Sequence, residues 1–182
     1  MDKFNFNHYR GLKIEVKDSH LYEDVLSLLL SKKQEKIVEE VVINFRDIDA
    51  LVNQLLIFKP GFKFSFHNDK QQVEYVPEVI DTNLGKLSFL HEYGHFIFNH
   101  NHDKSFDKDL LLSEKEAWFL ALRLASKIGL DINDEEKEHI SKCLQSYIDY
   151  VNKRSVCCSC GSENTREYYP QGYVCDDCFS DF

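Results

Sequence analysis

The chain has 182 residues, of which 43% are hydrophobic and 29% charged, with only 7 Gly and 3 Pro. That leaves room for one ordinary domain and a small appendage, and it excludes a fibrous or disordered chain. Lys and Arg number 22 against 31 Asp and Glu, a net charge of -9, which disfavours non-specific binding to nucleic acid or anionic membrane because both need a basic field.

Tyr9 to Val16 reads as a first strand, and a helical pattern follows from His20 to about Val42, with Leu21, Val25, Leu28 and Leu29 on one face. Val41 to Phe45 is either a buried strand or the tail of that helix. Asp47 to Phe58 repeats apolar residues at helical spacing, and Lys59-Pro60-Gly61 is expected to end it. Phe62 to His67 alternates aromatic and polar side chains, a half-buried strand. After a turn at His67 to Lys70, Val73 to Ile80 is the returning strand, and Pro77 argues for a sheet edge. Helices are expected from Asn83 to Asn99, from Ser113 to just before Gly129, and from Asp134 to Lys153. The order implies an α+β domain with a mixed, few-stranded sheet covered by helices. Arg154-Ser155 is the expected hinge, giving a domain over 1–153 and a cysteine-rich tail over 154–182.

The apolar runs Leu28 to Leu30 and Leu55 to Phe58 are far shorter than the ~20 residues that span a bilayer. The start at Met1 to Asn5 shows no apolar leader. Cysteines agree with the cytoplasmic location this suggests. Five of the 6 Cys lie from Cys157 onward, four of them in paired CxxC units, which in a reducing compartment read as metal binding rather than a disulfide scaffold.

His91-Glu92-Tyr93-Gly94-His95 is an HExxH motif inside the helix expected from Asn83. Side chains at i and i+4 lie one above the other, so both imidazoles can reach one ion. Glu92 lies about 100° round the helix, placed to act as general base on water without ligating. The flanking Leu87 to Leu90 and Phe96 to Phe98 are apolar, a costly place for two histidines and a glutamate without a partner.

A catalytic zinc needs a third protein ligand. Glu116 is the candidate, although Ser113 to Glu116 also fits a capping box, and Glu114 is a weaker rival. His100 and His102 also compete. The chain is not a metzincin, because Phe98 and Asn101 stand where that pattern needs glycine and histidine.

The stretches Phe89 to Phe98 and Glu116-Ala117-Trp118-Phe119-Leu120-Ala121 resemble the ImmA/IrrE-type zinc metallopeptidases, with their HExxH helix followed by a helix opening EAxxFA. The resemblance covers roughly residues 72–124, and Leu120 departs from the family's usual Phe. It implies a small zincin-like, gluzincin-type fold, with His91, His95 and Glu116 holding a catalytic zinc and Glu92 as base. It also implies an upstream edge strand that pairs with extended substrate, for which Val73 to Ile80 is nominated. Family members often act on DNA-binding repressors, so a cytoplasmic regulatory protein, such as a helix-turn-helix repressor, is the implied substrate.

In the tail, Cys157, Cys160, Cys175 and Cys178 form CxxC-x14-CxxC around an expected strand-turn-strand, the pattern of a zinc ribbon with a closed, structural zinc. Cys143 and Cys158 are left over. Residues 153–182 carry 3 basic and 5 acidic side chains, so protein docking suits the ribbon better than direct nucleic-acid binding.

The expectation is therefore a zinc endopeptidase of narrow specificity with one catalytic and one structural zinc. Tyr93, His67, His100 or His102 would serve as oxyanion donor. Two alternatives stand beside it. One is a metal-retaining regulatory module that sequesters a repressor or toxin partner. The other is an SprT-like protease, which would want a further downstream histidine and a basic surface.

Overall fold

The computed structural model describes residues 21–54, 56–100, 107–154, 160, 165–168 and 172–175. Asp18–Leu144 cluster as one compact unit, and the described residues from Gln145 onward belong to a second. The expected strand at Tyr9 to Val16 lies outside the described residues.

The first unit is α+β. Its opening helical stretch is two helices, α1 (Leu21–Leu26) and α2 (Lys32–Asn44). Ser31 separates them by capping α2: its hydroxyl accepts from the Gln34 amide, and the Gln34 side chain returns to the Ser31 backbone. Val41 to Asn44 are thus the tail of a helix. The helix expected over Asp47 to Phe58 is shorter, α3 (Ile48–Val52), and the chain then turns into strand β1 (Phe58–Pro60). The periodicity of Leu55 and Leu56 misled there, because Phe58 to Pro60 are held by pairing with residues far along the chain.

β1 runs parallel to β3 (Gln72–Tyr75), and β2 (Ser65–His67) runs antiparallel on its other side, giving the order β1-β3-β2. This corrects the nomination of Val73 to Ile80 as a sheet edge. The strand ends at Tyr75, before Pro77, and is central because Phe58 pairs with Val73 on one side and Phe66 on the other. Among the described residues the edges are β1 and β2.

Helix α4 (Asn83–Phe98) lies against this sheet. Thr82 caps it, accepting from the Gly85 amide at 2.9 Å. Gly85 itself is required, since a Cβ there would meet the Val79 carbonyl oxygen at 1.9 Å. Phe89 is fully buried, its ring 5.0 Å from Phe58 and edge-on to Tyr75 at 5.8 Å. It keys the helix to both strands. Asn99 ends α4 in the left-handed region at φ 53°.

Helix α5 (Asp107–Lys127) packs along α4. It starts six residues before the expected Ser113, so Ser113 is a mid-helix residue and the capping box suggested for Ser113 and Glu116 does not form. Gly129, with φ 70°, follows its end as expected for a C′ glycine. Helix α6 (Asp134–Arg154) buries Ile140 and Leu144. In the second unit, β4 (Thr165–Tyr168) pairs antiparallel with β5 (Gly172–Cys175), so the strand-turn-strand expected in the tail contains its two strands. No helix among the described residues is long and apolar enough to cross a membrane.

Candidate metal centre

His91 and His95 project from one face of α4 as their four-residue spacing requires. Both are buried, and their Nε2 atoms lie 3.1 Å apart. The carboxylate brought to them is that of Glu114, with oxygens 3.2 Å from His91 Nε2 and 3.4 Å from His95 Nε2. Glu114 is 2% exposed.

Close helix packing creates this meeting. Gly94 lies between the two histidines, and a Cβ on it would stand 2.8 Å from the Ala117 Cα. Glu114 is one turn before Ala117, so the face of α5 that meets Gly94 also delivers Glu114 to the histidine pair.

These three residues are the only His/Cys/Asp/Glu group among the described residues whose ligand atoms all lie within 4.8 Å of one another. Two imidazole nitrogens and a carboxylate are a donor set for zinc. Ligands ~2.0–2.1 Å from a tetrahedral ion stand about 3.3–3.4 Å from one another, close to the separations of 3.1, 3.2 and 3.4 Å found here. The residues fit a metal ion. Burial alone would raise the Glu114 pKa, but contacts with His91 and His95 dominate and hold its carboxyl far below the usual carboxylate range. Burial lowers the pKa of His95, leaving it neutral and able to ligate.

In comparisons with known proteins, no family model, curated protein or solved structure matches this chain.

Glu116, the ligand that the resemblance implied, is brought to different partners. About 200° round α5 from Glu114, it accepts from the Gln34 side-chain amide and lies 3.0 Å from His100 Nε2. His100 Nδ1 is in turn 2.8 Å from His95 Nδ1. The roles of His100 and Gln34 were not foreseen. Gln34 is 82 residues from Glu116 in sequence, and no local signal pairs them.

Glu92, the expected base, is half-buried, and the backbone of Phe66 in β2 is near enough to favour its charged form. Burial raises its pKa, and His95 partly opposes the shift. Among the expected oxyanion donors, His67 is engaged by Glu74, its Nε2 3.0 Å from Glu74 Oε2. Tyr93 lies on another face of α4, lining a cavity of about 500 Å³ with Phe45 and Leu51. His100 is engaged with His95 and Glu116, and His102 lies outside the described residues.

The ring of Trp118 stacks on His91, with centroids 4.0 Å apart. Its other face of contact is His139 of α6, edge-on at 6.1 Å, and His139 Nε2 lies 3.6 Å from Cys143 Sγ. Burial raises the Cys143 pKa, and Glu114 and Glu92 add to the shift, so its thiol stays protonated. Of the tail cysteines, Cys160 is exposed and Cys175 closes β5, while Cys157, Cys158 and Cys178 lie outside the described residues.

Proposed function

We propose that this chain is a zinc-dependent endopeptidase of narrow specificity. The observation that carries the reading is the convergence of His91, His95 and Glu114 on one point, with Glu92 one residue along the same helix. His91, His95 and Glu114 would hold the zinc. When bound, it supplies an acidified water and polarises a carbonyl.

Glu92 takes the proton at its carboxylate and passes it to the leaving amine. The raised pKa favours this role, since burial strengthens the carboxylate as a base. Of the expected oxyanion donors we favour His67, whose ring is held by Glu74. The edge of the sheet that borders Glu92 is β2, so an extended substrate chain would lie along that side.

The substrate we infer is a cytoplasmic regulatory protein such as a DNA-binding repressor, consistent with the acidic chain and with the resemblance to ImmA/IrrE-type peptidases. Cys157, Cys160, Cys175 and Cys178 would hold a second, structural zinc in a ribbon that docks protein. The antiparallel pairing of β4 with β5, ending at Cys175, supports this.

The test compares zinc-loaded wild type with Glu92→Gln on a peptide library from a cellular proteome, with new termini read by mass spectrometry. Glu92→Gln should keep its zinc and lose about 10²–10⁴-fold in cleavage rate. Cleavage that is equal in both proteins would rule out the peptidase mechanism.

A further inference from the structure

Two buried residues beside the metal centre, His100 and Glu116, have no part in the mechanism above, yet they are joined to it by an unbroken chain of contacts. The left-handed Asn99 turns the backbone so that the His100 N–H bonds the His95 carbonyl at 3.0 Å. The His100 side chain then folds onto the His95 ring, Nδ1 to Nδ1 at 2.8 Å. Backbone and side chain of His100 are thus both latched to one ligand.

Proton positions along the chain follow from its far end. Ser31 donates from its backbone and hydroxyl to Gln34 Oε1 at 3.0 and 2.8 Å, which turns the Gln34 NH₂ toward Glu116. The Glu116 carboxylate can only accept, so His100 must carry its proton on Nε2. With the proton on Nε2 donated in a hydrogen bond to Glu116, a neutral His100 ring presents Nδ1 as an acceptor. His95 must meet it with Nδ1–H, leaving the Nε2 lone pair aimed at His91 and Glu114.

We propose that His100 and Glu116 are a positioning pair that locks His95 in its Nδ1–H tautomer and thereby sets the affinity of the His91–His95–Glu114 site for zinc. Partners of this kind, on the far nitrogen of a ligating histidine, fix ring orientation and raise ligand basicity. The inference rests on reading those three residues as a metal site. The anchoring of Glu116 through Gln34 extends the control to α2, an element that touches none of the three ligands through any hydrogen bond described above.

Two measurements on the full chain test it. Histidine side-chain ¹⁵N correlation spectra, with the HExxH site stripped by chelator, should show His95 protonated on Nδ1 and His100 on Nε2. His95 protonated on Nε2 would overturn the proposal, and this reading needs neither a variant nor bound metal. Zinc affinity is then measured by competition with a chromogenic chelator, with His91→Ala giving the baseline from any other site. Glu116→Leu, checked for folding by circular dichroism, should bind about 10–100-fold more weakly than wild type. Glu116→Gln, which keeps an acceptor oxygen, should recover most of the loss. Affinity of Glu116→Leu equal to wild type would also overturn the proposal. Failure of the metal-site reading looks different: wild type itself would bind no more zinc than His91→Ala.

Discussion

Gly94 and Ala117 mark a close approach of α4 and α5: a methyl group on Gly94 would meet both the Cα and the carbonyl oxygen of Ala117 at 2.8 Å. Both obstacles are backbone atoms, so relief requires the helices to part. Gly94→Ala should cost about 1–3 kcal/mol through overpacking, and it should weaken zinc binding because Glu114 rides on the displaced helix. A thermal melt and a zinc titration of the same variant check both effects. A stability loss with unchanged zinc affinity would show that the metal centre does not depend on this contact.

Glu114 and Glu116 are expected to behave differently despite being two residues apart. Glu114→Gln removes an oxygen anion from the histidine pair, so the protein should lose the HExxH zinc under conditions where wild type keeps it. Glu116→Gln should keep it. Elemental analysis of both proteins decides the matter, and the reverse result would return the ligand role to Glu116.

Phe89→Ala probes how the sheet supports the helix. The side chain is fully buried between Phe58 and Tyr75, and its removal should destabilise the protein by about 3–5 kcal/mol. Urea unfolding measures this. A loss well under that range would mean that the sheet contributes little to holding α4.

Stability should depend on pH in a defined direction. Burial holds the pKa of His95 and His139 below the ordinary imidazole value of ~6.5. The unfolded chain therefore binds protons that the folded chain excludes. Their contribution to stability is complete above about pH 6.5 and is lost as the pH falls from there through the folded values. The melting temperature of chelator-treated protein should drop between about pH 7 and about pH 5, and His139→Gln should reduce the slope.

The HExxH helix was legible because its spacing carries the geometry: four residues are one turn, whatever the rest of the fold does. That Glu114, and not Glu116, meets the two histidines was not legible. Ser113 followed by Glu116 looks like a helix start, but α5 begins at Asp107, and the rotation of α5 that selects Glu114 is set by the contact of Ala117 with Gly94. The same limit applies to β1. Phe58 to Pro60 look like the end of a helix because their strand partner, Val73 to Tyr75, lies well downstream. The helix end at Gly129 and the N-terminus of α6 at Asp134 were readable, because capping chemistry is local.

The stacking of Trp118 on His91 makes the candidate metal centre optically addressable. Trp118 is the chain's single tryptophan, and its indole lies 4.0 Å from a ring whose electron density changes when it binds a cation. Emission from one fluorophore would therefore follow occupancy of the site beside it. Zinc added to the stripped protein should change that emission in proportion to filling, and His91→Ala should silence the response. The protein carries its own binding assay.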